Sequence, residues 1–215
     1  FNGGWGLPVE FNSEVTSCFG LRTLNGNDDW HSGLDFGRGE SGSSDIKAIS
    51  DGVVVSDCEN NNQGDDCFDD LGSYVTINHD GFYVVYGHMV KGSIKVNKSS
   101  QVKKGEVIGT MGETGHSQGK HLHLGVYPTK NINEDTFDHN GINPLCLITL
   151  PSGSDINPND CVAGVGMEDE NGCPSTAEEM FDRLGLSGGG IPCETGGSQP
   201  WTVTLSLHPT KKVGM

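Results

Sequence analysis

From Ile46 to Tyr127 the apolar positions fall in short runs cut by Gly, Asn and Asp, a pattern that predicts strands and no convincing helix. IKAISDGVVVSD at 46–57 and GSYVTINHDGFYVVYGHM at 72–89 are rich in Val, Ile and Tyr, and the HisAspGly at 79–81 divides the second run as a hairpin turn does. Between them lies the acidic stretch CENNNQGDDCFDD at 58–70. It has too little apolar content to order itself, so Cys58 and Cys67 are expected to staple its base, and its carboxylates lack the spacing of an EF-hand calcium loop. Residues 102–127 continue the strand pattern, broken at Gly105, Gly109, Gly112, Gly115 and Gly119. In HLHLGVY at 121–127, a strand puts His121 and His123 on one face and Leu122 and Leu124 on the other.

After AsnProLeu at 143–145 the composition shifts toward Gly, Pro, Ser and Cys, which places a boundary near Pro151. The expected organisation is a mainly β domain over residues 1–150 and a Cys-containing appendage over 151–215. The appendage holds one short helix signal. Ser175 and Glu178 form a capping box, and Ala177, Met180, Phe181 and Leu184 make an apolar stripe ended by Gly185. TVTLSL at 202–207 alternates like a strand, and the isolated His208 reads as a surface residue.

Composition narrows the function classes. The 33 glycines follow no triplet repeat, so they mark turns between short strands and not collagen. A formal charge of -16 repels a phosphate backbone, which excludes nucleic acid as a partner. No apolar run approaches the roughly 18 residues of a membrane span. The seven cysteines contain no CxxC pair, which fits disulfides in an oxidising compartment and a secreted or periplasmic location. Cys161 and Cys173 are a second expected pair, and the odd count leaves one thiol over. The chain opens at Phe1 with neither Met nor a leader, as a processed chain does.

Four of the eight histidines sit in three short motifs: HSGLD at 31–35, YGH at 86–88 and HLH at 121–123. A catalytic zinc takes three protein ligands and leaves a position for water. His31, Asp35 and one histidine of HLH meet that count, and spacing alone does not choose between His121 and His123. The glycines at 33, 37 and 39 favour a turn leading into a strand over a helix for HSGLD.

These motifs, together with TSCFGLR at 16–22, IKAISDGVVV at 46–55, VKKGEVIGTMGETGHSQGKHLHLGVY at 102–127 and INPL at 142–145, resemble the lysostaphin/LytM-type zinc metallopeptidases. The resemblance covers roughly residues 7–147. It implies a small antiparallel β-sheet core with a groove, one zinc per chain held by His31, Asp35 and His123, and a catalytic pair in His88 and His121. It also implies a substrate, the peptide crosslinks of peptidoglycan, cleaved through a metal-activated water. A protease of Gly-rich proteins and a non-catalytic adaptor that uses the same groove are the alternatives. Family members that cut glycine bridges often carry a tyrosine on the loop before HxxxD; RTLNGNDDW at 22–30 has none, and Trp30 stands nearby. That departure points away from pentaglycine and toward crosslinks between D-alanine and a diamino acid.

Overall fold

The computed structural model describes residues 4–10, 13–24, 27–38, 42–59, 68–128 and 141–148. The helix, strand and His208 expected in the appendage, its Cys161–Cys173 pair, the boundary near Pro151 and the Cys67 half of the other pair all lie outside these residues.

Eleven strands account for the described chain, all paired antiparallel. They are β1 (Val15–Ser17), β2 (Gly20–Leu24), β3 (Asn27–His31), β4 (Leu34–Phe36), β5 (Asp45–Lys47), β6 (Gly52–Cys58), β7 (Ser73–His79), β8 (Phe82–Met89), β9 (Gln101–Val102), β10 (Val107–Thr110) and β11 (Leu122–Tyr127). One sheet has seven strands in the order β1-β4-β11-β8-β7-β6-β9, and β10-β5 and β2-β3 form two small ribbons. Two short 3-10 turns, Asp69–Leu71 and Pro144–Cys146, are the only helical elements among the described residues. No helix there is long and apolar enough to cross a membrane.

The predicted hairpin is present. Asp80 (φ 54°) and Gly81 (φ 99°) join β7 to β8, and positive φ at both central residues is the geometry whose twist matches the flanking strands. Asn78 Oδ1 accepts from the Gly81 N–H at 2.8 Å, which secures the turn. HSGLD likewise bends as expected, with His31 ending β3 and Asp35 central in β4.

The core is built on the centre of the large sheet. Leu34, Phe36, Ile77, Val84, Tyr86, Leu122, Leu124 and Val126 are fully buried there, and each aliphatic side chain so buried contributes about 2 kcal/mol. β11 differs from the simple alternation expected of it, because all six of its residues are buried. It is an interior strand with β4 on one side and β8 on the other, and His123 on its histidine face is buried against Asp35 and His31.

At the far side of the core, His79 is wholly buried. Its Nδ1–H donates to the Asp51 carbonyl at 3.0 Å, and its Nε2 accepts from the Tyr86 hydroxyl at 2.9 Å. That hydroxyl in turn accepts from the Ile49 N–H at 3.1 Å, so the buried polar groups satisfy one another.

Candidate metal centre

Strand register brings distant parts of the sequence to one point. In the β4–β11 pair His123 stands directly opposite Asp35, and in the β8–β11 pair it stands opposite Gly87, one residue before His88. The β2–β3 ribbon ends with His31 opposite Gly20, and the two-residue turn Ser32–Gly33 then carries the chain into β4. His121 lies just ahead of β11, where it bridges Gly112.

Three atoms converge as a result. His31 Nε2, Asp35 Oδ1 and His123 Nδ1 form a triangle with each side 3.1 Å. All three residues are buried. His31 Nδ1 lies 2.7 Å from the Cys18 carbonyl, and a carbonyl only accepts, so Nδ1 carries a proton and Nε2 is the nitrogen turned into the triangle, where the neutral ring has its lone pair. Burial raises the Asp35 pKa, but the neighbouring His123 and His31 imidazoles outweigh it and hold the carboxyl ionised, well below the usual range. Burial lowers the pKa of His123 and favours its neutral ring.

Two nitrogens and a carboxylate oxygen are thus gathered where a cation would be shared among them. A tetrahedral zinc with bonds of about 2.0–2.1 Å keeps its ligand atoms about 3.3 Å apart, close to the spacing here, and the N/N/O donor set is one that zinc accepts. The residues present therefore fit a single divalent metal.

His88 and His121 stand beside the triangle. Their ring centroids are 4.5 Å apart, and His88 lies 5.9 Å from His123. His88 Nδ1–H donates to the Thr114 carbonyl at 2.8 Å, and His121 Nδ1–H donates to the Gly119 carbonyl at 2.8 Å. In the neutral form of either ring the lone pair is then on Nε2, and His121 Nε2 lies 3.6 Å from Asp35 Oδ2. Burial first, then the neighbouring His123 and His121, pull the His88 pKa down to about 4, so this ring is neutral at pH 7. All five residues line one open groove of about 630 Å3, with Trp30 and Leu71 also along it.

Sequence reasoning assigned no role to Arg22, although it falls in TSCFGLR. Its guanidinium donates from Nε to Asp29 at 2.7 Å and from Nη1 to Ser17 Oγ at 2.8 Å, and Nη1 lies 3.8 Å from Asp35 Oδ2. The cation thus faces the Asp35 oxygen that points away from the triangle. Thr114 was equally silent, since its contact with His88 runs through a backbone carbonyl that any residue carries. Among the described groove residues there is no tyrosine.

Comparison with known proteins finds a family and several relatives. A family model described as peptidase family M23 matches residues 29–138, just over half of the 215-residue chain. The peptidoglycan DD-endopeptidase ShyC of Vibrio cholerae is 33% identical over 120 residues, covering 54% of this chain and 25% of ShyC. A metalloprotease of Buchnera aphidicola is 33% identical over 103 residues, covering 47% of this chain and 24% of its own length. The chain thus spans about a quarter of the length of these curated relatives. Among solved structures, the SpoIIQ–SpoIIIAH pore-forming complex matches with a TM-score of 0.52 and 24% identity, over 71% of this chain and 95% of the matched one. Lysostaphin from Staphylococcus simulans matches with a TM-score of 0.50 and 21% identity, over 67% of this chain and 52% of its own. These two likenesses show the fold.

Proposed function

The chain belongs to peptidase family M23, and on that premise we propose that it is a zinc-dependent endopeptidase that hydrolyses peptide bonds in peptidoglycan crosslinks. The observation that carries the reading is the triangle of His31 Nε2, Asp35 Oδ1 and His123 Nδ1 in a groove that is also lined by the imidazoles of His88 and His121. The 33% identity with a peptidoglycan DD-endopeptidase supports the substrate class.

In this reading His31, Asp35 and His123 hold one zinc per chain. Zinc so held supplies Lewis-acid chemistry, acidifying a water and polarising a peptide carbonyl. The protein supplies the rest. Arg22 and Ser17 back the ligand residues from behind, so that the carboxylate presents one oxygen and the imidazole of His31 one nitrogen. His88 and His121, with protons on Nδ1 and lone pairs on Nε2, would accept a proton from the attacking water on Nε2, and the Nε2–H so formed would then donate to the developing oxyanion or pass the proton to the leaving amine. The open groove admits an extended chain on either side of the reacting bond. That all five side chains are present and convergent supports an enzyme over a groove that only binds.

With no tyrosine on the loop before HxxxD, the preferred crosslinks are those between D-alanine and a diamino acid, ahead of pentaglycine. Peptidoglycan lies outside the cytoplasm, so the protein is placed in a secreted or periplasmic setting. Residues 1–150 are taken as the peptidase domain and 151–215 as an appendage without a second active site.

Digestion of purified sacculi of differing crosslink, beside a Gly-rich protein, tests the substrate. Mass spectrometry of the new amino termini is expected to place them within crosslinks. New termini in the protein alone would overturn the cell-wall assignment.

A further inference from the structure

His88 is the one member of the site whose backbone lies in the left-handed region, at φ 56°. A non-glycine residue stays there when its surroundings hold it, not by its own preference. What holds it is the segment from Gly112 to His116. The Gly112 N–H donates to the His88 carbonyl at 2.9 Å, and the Thr114 carbonyl accepts from His88 Nδ1 at 2.8 Å. The Thr114 hydroxyl donates to the Met89 carbonyl at 2.6 Å and accepts from the Ser73 N–H at 2.9 Å. Two residues on, the His116 N–H donates to the Asp70 carbonyl at 2.8 Å. The approach is close enough to require glycine on both sides: a Cβ on Gly72 would overlap Thr114, and one on Gly115 would overlap the Asp70 carbonyl.

We infer that Thr114 is a positioning residue for His88. Its hydroxyl ties the segment to the end of β8 and the start of β7, and its carbonyl, fixed by that tie, sets the ring orientation and the tautomer of His88. A hydroxyl is required because it donates and accepts at one atom, which a methyl of the same size cannot do. Without it, the Ser73 N–H and the Met89 carbonyl lose a partner together. The Thr114 carbonyl is then free to drift, and the His88 ring can exchange its Nδ1–H form for the Nε2–H form. That form puts the proton where the proposed mechanism needs a lone pair.

The inference rests on the proposed catalytic role of His88, though the contacts that carry it involve no metal. The test uses the full chain as Thr114→Val and Thr114→Ser, each with one equivalent of zinc, and reads both turnover and the 15N shifts of labelled histidine. Thr114→Val is expected to bind zinc like the parent, to keep KM within about twofold, to lose at least about tenfold in kcat, and to show mixed His88 tautomers. Thr114→Ser is expected to stay within about threefold of the parent in kcat, with His88 still Nδ1–H. A merely structural residue would lower stability and leave the tautomer and the split between kcat and KM unchanged. Parental kcat in Thr114→Val, or an Nε2–H tautomer in the parent, overturns the inference. Should Thr114→Val fail to fold, the parent tautomer and Thr114→Ser decide it by the same criteria. If the parent cuts no peptide, the proposed function fails, and the tautomer comparison still tests the positioning.

Discussion

Gly33 lies against the imidazole of His123. A Cβ at residue 33 would come 2.5 Å from His123 Cε1, 2.6 Å from its Nε2 and 2.8 Å from the Leu124 carbonyl. The glycine is needed for its lack of a side chain, since its φ is not among the left-handed ones. Gly33→Ala must therefore push His123 or the start of β4 aside, and a displacement of that size opens the 3.1 Å triangle. The expected result is at least a tenfold loss of zinc affinity in competition with a chelator, the lower end of what disturbing a ligand's support costs, on the order of 10 to 100-fold. Parental affinity in this variant would show that the ring has room to spare.

The two kinds of histidine should separate by metal content. His31→Ala and His123→Ala are expected to lose zinc. His88→Ala and His121→Ala are expected to keep one equivalent and to lose roughly 100-fold or more in kcat, the range of general acid–base catalysis. Elemental analysis after dialysis reads the split directly. Zinc lost from His121→Ala and kept in His123→Ala would reverse the assignment within HLH.

Acid should weaken the fold through His79. Burial pulls its pKa from 6.5 to about 4, against the opposing hydrogen bond to the Asp51 carbonyl. As pH falls through about 6.5 the unfolded chain takes up a proton that the folded chain refuses until about 4, so stability declines across that window and levels off below it. The full decline is about 3 kcal/mol. Urea unfolding at pH 7, 5.5 and 4.5 measures it. His79→Gln should be less stable than the parent at pH 7, and the difference between the two should shrink toward pH 4. A difference that does not change with pH would contradict the account.

Much of this was legible in the sequence because it is local. A run of β-branched and aromatic residues broken by AspGly specifies the β7–β8 hairpin, and the glycine in HSGLD specifies a turn. What brings Asp35 to His123, 88 residues away, is the β4–β11 register, which spacing does not encode. Hence the HLH pair stayed ambiguous on spacing. In the structure, His123 faces Asp35 within the strand, while His121 stands ahead of it and turns its Nδ1 to the Gly119 carbonyl. Gly33, Arg22 and Thr114 were silent for the same reason: their partners are set by strand pairs and loop crossings, and two of the key acceptors are backbone carbonyls.

The acidic loop carries a separate expectation. Cys58 is buried at the end of β6 among Leu71, Tyr74, Val85 and Tyr127, and the sequence that follows it, ENNNQGDD, has no apolar residue to order itself. A Cys58–Cys67 bond would close that short loop and contribute about 3 kcal/mol by the loop-entropy model. Peptide mapping without reduction should recover the two cysteines in one linked species; Cys58 joined to any other cysteine refutes the pairing.

The central claim is that hydrolysis depends on one metal held by His31, Asp35 and His123. It is tested most directly by titrating zinc into the chelator-stripped chain while following cleavage of a purified crosslinked muropeptide dimer. The stripped protein should be inactive, and the rate should rise in proportion to zinc and reach its plateau at one equivalent per chain. Full cleavage by the stripped protein, or a plateau that requires two equivalents, would contradict it.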